Sequence, residues 1–169
     1  MSIVMTVVLG SLLFVTQAMA QEMGGNATAA TEGTVDTNME IVLQKVKADK
    51  KLLVASNMDL SDAEGKKFWP LYDAYQKELE QINRRLGRGI KEYADAFNQG
   101  NGNISNDTAK KLVSEVLSLE EAEVKLKRAY ADKIGKVLPA TKTARYIQIE
   151  NKIRAFLKAE LAQEIPLIQ

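Results

Sequence analysis

The residues best placed to bind something are Arg84, Arg85, Arg88 and Lys91, the densest basic cluster of the chain, followed closely by Tyr93 and Phe97. Cations attract a partner at range and apolar faces hold it at contact, so this group suits capture of another chain. The alternative is a solvated helix flank paired with acids. Lys125, Lys127 and Arg128 form a second cluster. Glu120, Glu121 and Glu123 could bind a metal weakly, or form a solvated face. Catalytic chemistry finds less material, because the chain has neither cysteine nor histidine. That removes disulfides, the thiolate nucleophile and thiolate metal sites. It also removes the usual general base and the commonest metal ligand. No nucleophile elbow, phosphate loop or metal-ligand spacing is present. The expectation is a protein without catalysis, cofactor or dedicated metal site.

Length and charge narrow the class. The 169 residues suit one domain, and three prolines and ten glycines favour long helices. Lys and Arg number 23 against 22 Asp and Glu, for a net charge of +1. That balance offers no field to draw in nucleic acid.

Ile3 to Val15 is an apolar run of signal-peptide length, and Ala18-Met19-Ala20 supplies small residues before Gln21. Residues 1–20 therefore read as a signal peptide, cleaved after Ala20, and the address as a bacterial periplasm. No Lys or Arg precedes the run, so an uncleaved anchor is the competing reading. Residues 21–37 are rich in Gly, Ala and Thr and read as a disordered leader. Asn26, Asn103 and Asn106 head N-x-S/T triplets, read here as loop and cap residues.

The remainder, 38–165, reads as four helices. The first, from Asn38 to Ser56, carries an imperfect stripe of Ile41, Val42, Val46, Leu52 and Leu53. The second opens on a capping box between Ser61 and Glu64. Behind it run Phe68, Tyr72, Tyr75, Leu79, Ile82, Leu86, Ile90, Tyr93 and Phe97, a heptad seam and the strongest periodic signal in the chain. Pro70 lies inside that helix, where it cannot donate to the carbonyl of Lys66. The seam keeps its register across Pro70, which predicts one long kinked helix; a break with Pro70 at a new start is the alternative. Asn98 to Asn103 reads as a hairpin loop. The third helix runs to Val137 with Leu112, Val116, Leu119, Leu126, Tyr130 and Val137 as its seam, and Glu123 and Lys133 interrupting it. The fourth spans Thr141 to Gln163, with Tyr146, Ile149, Ile153, Phe156 and Leu157 apolar. Tyr146, Trp69 and Phe156 read as core. The fold class is all-α: four helices, two of them long, antiparallel and kinked in a hairpin. A hairpin this thin cannot bury Trp69, Leu71, Val113, Leu117 and Val124 as well as its seam, which predicts a two-fold homodimer, with a compact monomeric bundle as the alternative.

Leu60-Ser61-Asp62-Ala63-Glu64 resembles L-T-x-x-Q, the motif of the Spy/CpxP family of periplasmic stress proteins. That family carries it twice, and Leu138-Pro139-Ala140-Thr141-Lys142 stands in the second place, with Pro for Thr and Lys for Gln. The motif residues are Leu60, Ser61, Glu64, Leu138 and Thr141. The resemblance implies a cradle-like antiparallel dimer that works without ATP. Such proteins act as holdase chaperones for unfolded or misfolded envelope proteins, or as stress modulators docking on a membrane sensor. A metal-resistance branch relies on His and Cys, which this chain lacks. The expected client-binding residues are Arg84, Arg85, Arg88, Lys91, Tyr93 and Phe97. The competing readings are a dedicated coiled-coil adaptor for one membrane sensor and a metal-responsive protein using carboxylates.

Overall fold

The structure is a computed structural model that describes residues 47–169. The expected signal peptide, its cleavage site, the leader and the start of the first helix lie outside the described residues. Those that are described form four α-helices and no strand. They divide into two compact units, 47–59 and 60–169.

The first unit is the described part of α1, residues 47–58. Ser56 Oγ donates to the carbonyl of Leu52 (2.9 Å) and Asn57 Nδ2 to that of Leu53 (2.8 Å). Asp59 then turns left-handed (φ 46°) and ends the helix. The expected stripe is corrected at two positions. Leu52 and Leu53 are exposed, whereas Val54 and Met58 are buried.

The second unit holds α2 (Asp62–Gln99), α3 (Asn106–Gly135) and α4 (Ala140–Glu164). The capping box forms as its sequence dictates. Ser61 Oγ accepts from the Glu64 amide (3.3 Å), and Glu64 Oε2 accepts from the Ser61 amide (2.8 Å). Two donors left over at the helix start are thereby satisfied. From there α2 runs unbroken for 38 residues, with Pro70 inside it. At 1.5 Å per residue that is about 57 Å. A new start at Pro70 is thus ruled out. Its ring is exposed to solvent. Pro70→Ala restores the missing amide donor and removes an exposed ring. It should raise stability by up to about 3 kcal/mol, read as an increase in melting temperature; a decrease would show that the ring itself supports the helix.

The hairpin loop turns through Asn101 (φ 50°) and Gly102 (φ 98°). At Gly100 a Cβ would overlap the Asn103 carbonyl oxygen. Gly102 N–H closes the turn on the Phe97 carbonyl (2.9 Å). Ser105 then caps α3 by accepting from the Thr108 amide (3.1 Å).

The α2 seam becomes the core. Phe68, Tyr72, Tyr75, Leu79, Ile82 and Phe97 are buried, against Leu119, Leu126, Tyr130 and Ile134 of α3 and Tyr146 of α4. The rings of Phe68, Tyr72, Tyr75 and Tyr146 meet edge to face at 5.1–6.2 Å between Tyr146 and the others. Tyr130 donates to Glu78 Oε1 (2.6 Å), and desolvation together with that carboxylate pushes its hydroxyl up to about 12.

Four side chains depart from the sequence-based reading, the first being Trp69, expected in the core and only half-buried. Phe156, expected in the core, is exposed, and so is Val116 of the α3 seam. Glu123 is no part of a solvated face. It is buried and receives Arg154 Nη2 at 2.7 Å and Nε at 2.8 Å, with Lys127 Nζ at 3.7 Å. The interruption of the α3 seam is therefore a buried ion pair to α4. Lys133 lies over the Tyr130 ring, 4.0 Å from its centroid.

Helix α4 runs antiparallel to α3 along the hairpin. Its start meets the start of α2 through Lys142 and Glu64, and its end nears the hairpin loop. No Cα of α4 comes within 8 Å of one in α2, so side chains alone bridge these two helices. Gln76 Nε2 donates to Glu150 Oε1 (2.9 Å) and Arg154 Nη1 to Asn83 Oδ1 (2.8 Å).

Candidate functional site

The two motif segments come together. Leu138 is buried, and Pro139 stands at the N-cap of α4, where a hydroxyl would otherwise cap. Thr141 falls inside the first turn, exposed, and no side chain caps this end. Lys142 crosses to Glu64 Oε2 at 2.7 Å. Leu60 and Ser61 complete the corner at the start of α2. The motif residues thus form a joint between helix starts.

The Glu64 carboxyl is held down at about 2, first by Lys142 and then by the Ser61 amide. A carboxylate depressed in the folded state stabilises above its unfolded value and loses that contribution as pH falls through the folded one. The stability gap between the natural chain and Glu64→Gln should therefore be full above about pH 4.5 and close toward pH 2. Urea melts at several pH values measure it. A gap independent of pH would mean that the charge plays no part.

The sequence-predicted binding residues lie at the hairpin end of α2. Arg84 pairs with Glu80 one turn back (3.3 Å). Arg85 grips Glu115 of α3 with two bonds of 3.1 Å and adds Ser118 at 3.2 Å. That guanidinium holds the Glu115 carboxyl below its ordinary range. Lys91 pairs with Asp95 (2.6 Å). Arg88 is exposed and forms no ion pair among the described residues. Tyr93 stacks on the buried Phe97, centroids 5.7 Å apart. Burial raises the Tyr93 hydroxyl's pKa.

Between α2 and α3 lies a cleft of about 390 Å³, with Arg85, Arg88, Glu92, Lys111, Leu112 and Glu115 in its walls. Sequence reasoning missed its α3 side, because Lys111 and Glu115 come opposite Glu92 and Arg85 only through the register of the hairpin. Gly87 and Gly89 do not serve close helix approach, since a Cβ at either would meet nothing within 4 Å. Val113, Val116 and Leu117 of α3 are about half exposed or more, and Val124 further along is also exposed.

The second basic cluster disperses. Lys127 turns inward to Glu123 and Asn151, while Lys125 and Arg128 are exposed. The acidic triplet disperses too, since Glu123 meets Arg154 and Glu120 meets Lys158 (3.3 Å). Among the described residues no group of three or more acids is placed to hold a metal ion. No described helix is long and apolar enough to cross a membrane. In comparisons with protein-family models, curated proteins and solved structures, nothing matches the chain.

Proposed function

We propose that the chain is an ATP-independent holdase or envelope-stress modulator of the Spy/CpxP kind. In this reading it is exported to the periplasm, cleaved after Ala20, and pairs as a homodimer that binds unfolded envelope proteins. One observation carries the reading: the hairpin end is amphiphilic. The exposed Arg88 lines the cleft, Tyr93 stands five residues farther along α2, and Val113, Val116 and Leu117 are uncovered on the loop-proximal part of α3. A cation draws a loosely folded chain in, and apolar side chains hold it. The exposed apolar positions of α3 also support self-association.

A second reading has an observation of its own. Arg84, Arg85 and Lys91 already pair with acids of the same chain. Such a pattern suits one partner of matching charge, such as a membrane sensor, better than indiscriminate capture.

The test mixes the chain from Gln21 onward with a chemically denatured reporter enzyme and follows light scattering without ATP. Holdase activity predicts suppression at near-stoichiometric amounts, weakened by salt. Arg88→Glu should weaken it about fivefold, the equivalent of about 1 kcal/mol, with helicity unchanged. No suppression at excess would favour the adaptor, to be sought among envelope membrane proteins. Suppression untouched by salt and by Arg88→Glu would remove the basic cluster from the site.

A further inference from the structure

Helix α4 stops at Glu164, and Ile165 is extended (φ −92°, ψ 109°). Pro166 cannot continue the ladder, having no amide hydrogen. Residues 165–169, Ile-Pro-Leu-Ile-Gln, instead reach the hairpin end. Two contacts seat them there. Tyr93 Oη donates to the Pro166 carbonyl at 2.6 Å, and the Gln169 amide donates to the Gly102 carbonyl at 3.1 Å. Both use the backbone of the segment. A Cβ at Gly102 would come within 2.8 Å of the Gln169 side chain, so glycine there leaves room for it. The side chains between contribute little: Leu167 is 89% exposed and Ile168 51%.

A seat that offers one donor and one acceptor to main-chain groups three residues apart reads extended backbone, and is tolerant of sequence. We propose that the hairpin end is a docking seat for an extended peptide segment, held by its backbone, occupied in cis by residues 165–169 and yielded to such a segment of an unfolded protein. The proposal rests on the holdase reading, because it is Tyr93 of the binding group that holds the internal occupant. The occupant defines the class of ligand: extended, bound through its backbone, and free of any need for its own side-chain polar contacts. Its hold is weak enough to be displaced, since its apolar side chains remain in water while its backbone is bound.

The absence of cysteine makes the segment directly observable. Leu167→Cys in the otherwise complete chain takes a nitroxide label at an exposed position, and electron paramagnetic resonance reads its mobility. The label should be restrained in the free protein. Adding Tyr93→Phe should shift the detached-to-seated ratio about fivefold toward detached, with unchanged helicity. An excess of free acetyl-Ile-Pro-Leu-Ile-Gln amide, or of the denatured reporter, should mobilise it too. A label equally mobile with and without the Tyr93→Phe change, or one that stays restrained while the reporter is captured, overturns the proposal. Failure to capture any reporter would instead count against the holdase reading, and the peptide and Tyr93→Phe results would still decide whether the seat exists.

Discussion

Tyr146→Ala should destabilise the three-helix unit by about 3–5 kcal/mol, the range for removing a large buried aromatic side chain. Tyr146 is fully buried and meets Phe68, Tyr72 and Tyr75 at 5.1, 6.2 and 6.2 Å between ring centroids. It matters more than an ordinary core residue because the α4 backbone stays clear of α2. With that ring gone, the side-chain bridge between these helices loses its fully buried aromatic contact and leans on polar struts such as Gln76 with Glu150 and Arg154 with Asn83. Denaturant melts followed by circular dichroism measure the loss, and a cost under about 1 kcal/mol would mean that the site collapses around the gap. Tyr146→Phe separates ring from hydroxyl. Desolvation, with the Glu150 carboxylate facing the hydroxyl, raises its pKa well above the ordinary value, yet Oη makes no hydrogen bond of full geometry, Glu150 being the group that comes nearest to one. Removing an unsatisfied buried hydroxyl should be neutral or stabilising by about 1–2 kcal/mol. A loss of that size would show that the hydroxyl has a partner.

Arg154→Ala carries the second large effect. Arg154 and Glu123 are both mostly buried, with side chains 15% and 8% exposed. Deleting the guanidinium leaves Glu123 with Lys127 at 3.7 Å and deprives Asn83 of its partner. Stranding a buried charge costs about 3–5 kcal/mol. The double change Glu123→Leu with Arg154→Met removes the stranded charge as well, so it should recover most of that loss and can exceed the natural stability. The same melts decide it. Single and double variants that lose equally would show that packing, not charge, is what Arg154 supplies.

Much of α2 was legible because its information is local. A Ser and a Glu three residues apart make a cap, and a 3–4 apolar spacing makes a buried face, whatever lies elsewhere in the chain. The hairpin loop was legible for the same reason. What the sequence hid was pairing across elements. Glu123 looks like an interruption until Arg154, on another helix, is placed beside it. Phe156 looks like core in a helix whose buried residues are Tyr146 and Glu150. Of the candidate site, the gathering of Arg84 to Phe97 at one end followed from helical spacing. The pairs of Arg84 with Glu80 and Lys91 with Asp95 are one-turn neighbours that the same spacing offers, whereas Arg85 finds its partner 30 residues away.

The ion pairs across the hairpin have a consequence for how α2 and α3 can slide. Arg85 meets Glu115, and farther toward the loop Glu92 meets Lys111, so the sign order on each helix reverses. If α3 slipped by one turn away from the loop, Lys111 would come to the level of Arg88 and Glu115 to that of Gln81. One attraction would become a repulsion and the other would vanish, while the Tyr130 hydroxyl would part from Glu78. A seam of similar apolar residues tolerates such a ratchet step, but these charges do not. The polar flank of the hairpin thus selects a single alignment that its greasy interior alone leaves degenerate.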